Sequence, residues 1–206
     1  MKLVSLIPTL ETERLRLRPF ALDDEAAVFA LVSDPEIARF VRFEAHRTPA
    51  DTRVFLELAA AHYRRGDLFA LAIVLREDEQ LIGSCGFVGQ APERKAAEIG
   101  YWLGKPHWGK GYALEAARAL VRFGFEQMSL ERIEAKCYLE NRAGQRVIEK
   151  LGMKFEGIDC SERIKGEYPQ LNMYGISRED LQDGQNSPPR IARPERSRGA
   201  DQLGSK

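Results

Sequence analysis

The stretch that most constrains this chain is Trp108-Gly109-Lys110-Gly111-Tyr112-Ala113, set between a strand-like run at residues 98–103 and a helix-like run at 114–127. Glycines in such a connection let the main chain turn with its N–H groups pointing outward. The helix start beyond them adds unpaired amides and a partial positive charge, which together favour a phosphate. The junction is an anion cradle.

Two cradles fit the spacing. From Gly104 the pattern is G-x-x-x-x-G-K, as in a nucleoside-triphosphate loop, up to the residue after Lys110. That loop needs a Ser or Thr hydroxyl to hold Mg²⁺, whereas Gly111 has none, and no convincing later strand ends in a metal-binding Asp. A diphosphate held without metal fits better, and no metal ligand set is predicted.

The rest of the chain alternates strands with helices. Arg14-Leu15-Arg16-Leu17-Arg18 has period two and predicts a strand that is polar on one face. Asp23 or Asp24 caps a helix carrying Ala27, Val28, Leu31 and Val32 that stops before Pro35. Pro49 and Asp51 open another, which Gly66 ends. Residues 68–75 and 80–88 read as a hairpin, 133–138 as a strand, 142–150 as a helix with Gly152 its C-cap, and 155–164 with 169–177 as a last strand pair. The pattern implies an α/β chain of three layers, a mixed sheet flanked by helices.

Length and charge narrow the class further. At 206 residues and 44% hydrophobic residues, one core suffices. The zero formal net charge gives no broad attraction to nucleic acid or to an anionic membrane. No apolar run reaches the roughly 20 residues that a membrane helix needs, and no secretory leader is apparent, so a cytoplasmic location is expected. Cys85, Cys137 and Cys160 lack metal-ligand spacing and are read as reduced packing residues. One domain is expected over residues 1–178, followed by a disordered tail at 179–206 that is rich in Gly, Pro, Ser and Arg.

The loop resembles the phosphate loop of the GNAT superfamily of acyl-CoA-dependent N-acyltransferases, Q/R-x-x-G-x-G/A, with Trp108 where many members carry Gln or Arg. Further phrasing is similar to its RimJ/RimL-like branch: Leu10-Glu11-Thr12-Glu13-Arg14-Leu15, Glu98-Ile99-Gly100-Tyr101-Trp102-Leu103, Asn141, and Glu149-Lys150-Leu151-Gly152-Met153. Five motifs in order span about residues 8–177. The resemblance implies a mostly antiparallel central sheet and acetyl-CoA as co-substrate. It implies that the strand before the loop splays from its neighbour so that Trp102 and Leu103 hold the pantetheine arm, with a main-chain N–H of that strand as oxyanion donor. Trp108, Gly109, Lys110, Gly111, Tyr112 and Ala113 would hold the pyrophosphate, chiefly through amides, and Asn141 would bond the cofactor arm. Lys150 could reach the phosphates, while Glu115 is assigned a structural role in the first helical turn.

For catalysis, Glu98 is the best candidate base, a carboxylate on the central strand near the thioester that shares one strand face with Gly100 and Trp102. His107 is a weaker candidate without an identifiable acidic partner. Family members commonly place a proton donor three or seven residues after the Asn, but here those positions are Gly144 and Ile148. Tyr138 is a replacement donor from the preceding strand, and a thiol of pKa about 8.5 is in any case a tolerable leaving group. The acceptor would be a primary amine, whether a protein N-terminus, an amino acid or a small polyamine, held between residues 39–47 and 161–168 by direct attack in a ternary complex. The alternative is a non-catalytic acyl-CoA-binding or interaction module of the same fold. An exposed sheet edge could support a homodimer.

Overall fold

The structure, a computed structural model, describes residues 7–67, 70–182 and 190–191. Among these, nine strands form one sheet in the order β7-β8-β6-β5-β4-β3-β2-β1-β9. They are β1 (Leu10–Glu11), β2 (Leu15–Arg18), β3 (Leu71–Leu75), β4 (Leu81–Ala91), β5 (Ala96–Leu103), β6 (Arg132–Tyr138), β7 (Lys154–Asp159), β8 (Leu171–Ser177) and β9 (Arg190–Ile191). Every neighbouring pair is antiparallel except β5 with β6. The helices are α1 (Glu25–Val32), α2 (Pro35–Ala38), α3 (Pro49–Arg65), α4 (Tyr112–Glu126), α5 (Arg142–Lys150) and α6 (Arg178–Gln182).

Helices cover both sheet faces, giving the three layers that the sequence predicts. β3 shows why. Its Leu71, Ile73 and Leu75 point into the core under α4, and Ala72 and Val74 into the core under α1 and α3, so every residue of the strand is buried. A strand covered on both faces reads as an uninterrupted apolar run. At β2, by contrast, only Leu15 and Leu17 turn inward, which bears out the predicted polar face.

Local signals place the ends of α3 and α5 as expected. Thr48 and Asp51 form a capping box around Pro49, and Gly66 takes a left-handed φ of 83° at the other end of α3. Asn141 caps α5, and Gly152 follows it at φ 84°. Elsewhere the expectations need correction. Pro35 does not merely stop α1. Asp34 accepts the Glu36 N–H at 2.9 Å and Pro35 occupies the first position of α2, where proline's missing donor is harmless.

The segment 160–170 is not strand. Asp159 binds the Ser161 N–H, and Lys165 and Gly166 have φ of 53° and 87°, a tight turn that ends β7 early. Cys160 is exposed, unlike Cys85 and Cys137, so it is not a packing residue. Residues 179–182 lie within α6, and Arg190–Ile191 pairs with β1, so part of the segment expected to be a tail is built into secondary structure. The rest of that segment lies outside the described residues.

α4 packs closely on the sheet because Gly124 sits over Phe87, where a Cβ would come within 2.9 Å of the ring. Phe87 is 1% exposed and fills the centre of that core. Phe87→Ala is expected to lower stability by about 3–5 kcal/mol in chemical denaturation, and a loss under about 1 kcal/mol would show that this layer does not hold the sheet.

Candidate functional site

Between β5 and α4 the chain makes a one-turn helix at Lys105–His107, extends at Trp108, then turns through Gly109 and Gly111, both with left-handed φ, at 73° and 85°. α4 begins at Tyr112, two residues before its predicted start, so the loop runs directly into the helix mouth. Its first helical bond is Glu115 N–H to Gly111 C=O, and the amides before it have no carbonyl one turn behind them. Trp108, Gly109, Lys110 and Gly111 are exposed, and a Cβ at Gly109 would meet nothing within 4 Å. The turn is exposed and its glycines leave room beside the start of α4.

Side chains brace this loop from behind. Glu115 accepts hydrogen bonds from Thr12 Oγ1 (2.6 Å), the Arg14 N–H (2.9 Å) and Arg14 Nε (2.7 Å). Arg14 also donates to the Lys110 carbonyl at 3.0 Å and lies over the Tyr112 ring. Burial opposes the Glu115 charge, but these bonds outweigh it and hold the carboxyl below its usual pKa. The structural role assigned to Glu115 thus has its partners. The Leu10 to Leu15 motif has acquired a purpose that spacing alone did not reveal, since its partners lie about a hundred residues away.

Trp108 donates its indole N–H to the Leu103 carbonyl at 2.7 Å, which pins the loop to the end of β5. That carbonyl is therefore engaged, and the buried Leu103 side chain belongs to the core under α4. His107 is buried beside Tyr112, with burial pushing its imidazole below the usual pKa. It is a packing residue at the loop.

The second feature is a gap in the sheet. β5 and β6 pair only at Ala96↔Arg132, Ala97↔Ile133 and Glu98↔Glu134. Beyond Glu98, β5 stays with β4 and β6 with β8, so the two strands part. The splay that the family resemblance implies is present. Ile99, Tyr101, Ala135, Cys137, Gly144 and Ile148 line the gap, and the Tyr101 hydroxyl donates across it to the Gly144 carbonyl at 3.2 Å. Burial pushes the Cys137 thiol up to about 11, so it stays protonated near neutrality.

Asn141 lies at the gap with its side-chain oxygen on the Gly144 N–H at 2.9 Å. Its oxygen caps α5, which leaves its amide nitrogen as the group to offer a ligand. Gly144 has no room for the family's serine, because a Cβ there would meet Asn141 Nδ2 at 2.7 Å and Cys137 Sγ at 3.0 Å. Tyr138 lines the same cleft with its ring 5.8 Å from Phe40. Burial raises its pKa, against the pull of Arg42, so the phenol keeps its proton.

The third feature lies on the other face of β5, where Glu98, Gly100 and Trp102 point toward α1 and α3. The Trp102 indole packs at 6.3 Å from Phe43, away from the phosphate loop, so only its main chain faces the gap. Glu98 receives Arg42 Nη1 at 2.7 Å. Arg42 also grips Glu162 through Nε (2.7 Å) and Nη2 (3.0 Å), and Lys136 joins Glu162 to Asp159 at 3.0 and 2.8 Å. Burial works against the Arg42 charge, but Glu162 and Glu98 outweigh it and raise its pKa. Segments 39–47 and 161–168, predicted to flank the acceptor, therefore meet across the cleft. The whole cleft holds about 480 Å³.

A central sheet that parts beside an amide-rich strand-to-helix turn defines an acyltransferase of the acyl-CoA class. Residues 14–154 match the Acetyltransferase (GNAT) domain, and the chain belongs to this family of acetyltransferases. It is 34% identical over 169 residues to "Uncharacterized N-acetyltransferase p20" of Bacillus licheniformis, covering 82% of this chain and 95% of that one. It is 30% identical over 125 residues to the ribosomal-protein-serine acetyltransferase of Escherichia coli, covering 60% and 69% respectively, which supports the RimJ/RimL-like branch. The crystal structure of a GNAT-family acetyltransferase from Bacillus anthracis superposes with a TM-score of 0.75 at 31% identity, covering 83% of this chain and 99% of that one. GNAT acetyltransferases use acetyl-CoA. Among the described residues no helix is long and apolar enough to cross a membrane.

Gly109→Asp sets a carboxylate at the turn and, relative to Gly109→Asn, which carries the same left-handed strain without the charge, is expected to weaken coenzyme A binding at least about tenfold by calorimetry. Unchanged affinity would contradict the cradle. For Glu115 the lowered pKa fixes the sign: its stabilisation is complete above the ordinary carboxylate value and is lost as pH falls through the lowered one. Glu115→Gln should therefore be less stable than the parent by about 1–2 kcal/mol at pH 7, a deficit that shrinks below about pH 4 in denaturant titrations.

Proposed function

We propose that the protein moves the acetyl group of acetyl-CoA to a primary amine by direct attack in a ternary complex. The observation that carries this reading is the parting of β5 and β6 at Glu98, because it aligns three parts along one cleft. A carboxylate borders the cleft at the fork, and the strand edge freed beyond it runs on to Leu103, from which the chain enters the glycine turn.

In this reading the amides from Gly109 to Ala113 hold the diphosphate, while the main chain of Trp102 and Leu103 and the Asn141 amide nitrogen hold the pantetheine arm. An N–H of β5 stabilises charge on the acetyl oxygen. Glu98 takes the proton of the incoming ammonium, directly or through a water, and the freed nitrogen bonds the acetyl carbon as the carbon–sulfur bond breaks. Tyr138, which holds its proton, supplies it to the departing thiolate in place of the donors absent at Gly144 and Ile148, and the second proton that the nitrogen sheds on becoming an amide returns to Tyr138 through water. A protonated hydroxyl at that place favours a working transferase over a module that only binds acyl-CoA.

The acceptor is a primary amine such as a protein N-terminal α-amine. The likeness to the E. coli ribosomal-protein-serine acetyltransferase and the meeting of segments 39–47 and 161–168 at Arg42–Glu162 support a peptide end lying across the cleft mouth.

Glu98→Gln should lower kcat/KM for amine acetylation by about 10²–10⁴-fold with coenzyme A affinity unchanged, measured by thiol release and calorimetry. Equal turnover in this variant would remove Glu98 from the mechanism.

A further inference from the structure

The acceptor side of the cleft is walled by rings rather than by charges. Its floor is the β4–β5 surface, where Gly86 faces Gly100 and Ser84 faces Trp102 in register and the Val88 side chain covers Gly100, giving an apolar floor between Glu98 and Trp102. Phe43 and His46 stand over it from the 39–47 segment, with ring centroids 5.6 Å apart, and Phe55 of α3 lies 6.4 Å from His46. His46 is fixed by its Nδ1 contact to Thr52 Oγ1 at 2.8 Å, and burial pushes its imidazole below the usual pKa despite Asp51 nearby. It therefore faces the cleft uncharged near neutral pH.

Val54 and Leu58 of α3 also line this cleft, yet are 66% and 47% exposed. Large apolar side chains at the mouth of a site mark where an apolar ligand is covered.

The linked charges gather at one end. Glu98, Glu162 and Asp159 carry three negative charges against two positive ones on Arg42 and Lys136, which leaves one unbalanced carboxylate for one ammonium. Asp51 is the other acid lining the cleft, and its carboxylate already accepts the N–H groups of Arg47 and Thr48 at 2.9 Å. A polyamine would bring further cations against aromatic walls, and a free amino acid would bring its carboxylate beside an Arg42 already held by two acids. Burying either charge without a partner is unfavourable.

We infer that the acceptor is an uncharged-tail primary amine whose neighbouring carbon bears an aromatic or large aliphatic group, and that this group fills the space between Phe43, His46, Phe55, Leu58 and Trp102. This inference rests on the acetyltransferase reading and narrows its substrate. The amine lies at Glu98, beside Arg42, and its side chain turns toward Phe43, the next residue along, and the rings packed around it. A serine side chain is too short and too polar to fill that space.

The test compares glycinamide, serinamide, leucinamide, phenylalaninamide and spermidine as acceptors, with acetyl-CoA saturating. Phenylalaninamide and leucinamide should exceed glycinamide in kcat/KM by about 100-fold. Phe43→Ala, and independently Leu58→Ser at a half-exposed position that the fold tolerates, should lower the phenylalaninamide-to-glycinamide ratio about tenfold or more. Calorimetry of phenylalaninamide on the coenzyme A-saturated protein separates the two readings. Binding without acetylation keeps the pocket and sinks the transferase. Acetylation in which serinamide, glycinamide or spermidine equals phenylalaninamide keeps the transferase and overturns the pocket. A ratio unmoved in both variants overturns it as well.

Discussion

The structure turns on the place where a parallel strand pair lasts for three residues and then divides. Buried main-chain N–H and C=O groups need partners, so a strand edge opened inside a covered sheet is an unfinished surface. Beyond Glu98, β5 follows β4 and β6 follows β8, and the Tyr101 hydroxyl bonds the Gly144 carbonyl of α5 across the opening. The same geometry places Glu98 at the fork, the last residue to be paired and the first to border the cleft. A ligand with amide groups of its own, such as a pantetheine arm, completes what the sheet leaves open.

The two ends of the cleft are held by different physics. At the loop end the fixed elements are main-chain dipoles, and the charged pair Arg14–Glu115 acts from behind to keep the turn in shape rather than to touch an anion. At Glu98 the elements are side-chain charges, linked in one chain from Glu98 through Arg42, Glu162 and Lys136 to Asp159. That chain ties the N-terminal helical segment to the turn after β7, so its charge balance and the width of the cleft mouth are set together. β4 adds a bulge between Phe87 and Gly89, opposite Glu98, which turns Val88 toward the cleft.

Features governed by neighbours in sequence were legible without coordinates. Thr48-Pro49 and Gly66 delimit α3, Asn141 and Gly152 delimit α5, and the arginine–leucine alternation around Leu15 and Leu17 reports one wet and one dry face. The shape of the glycine turn was legible for the same reason, since positive φ and a helix start are local properties of Gly109, Gly111 and the residues after them. What misled was also local. Pro35 ends one helix and begins another, depending on whether Asp34 turns back to cap it, and the 160–170 segment has strand-like composition but left-handed residues at Lys165 and Gly166.

By itself, the order of residues determined the alternation of elements, the glycine turn into α4 and the absence of a proton donor at Gly144 and Ile148, because each depends on residue type and on spacing of a few positions. Only the tertiary structure decided that Glu98 would meet Arg42, that Trp102 would face Phe43 instead of the loop, and that Thr12 and Arg14 would brace Glu115. Those partners are separated by roughly fifty to a hundred positions along the chain. Their meeting depends on which strand lies beside which and on which face each side chain leaves, and no short-range pattern in a sequence encodes that.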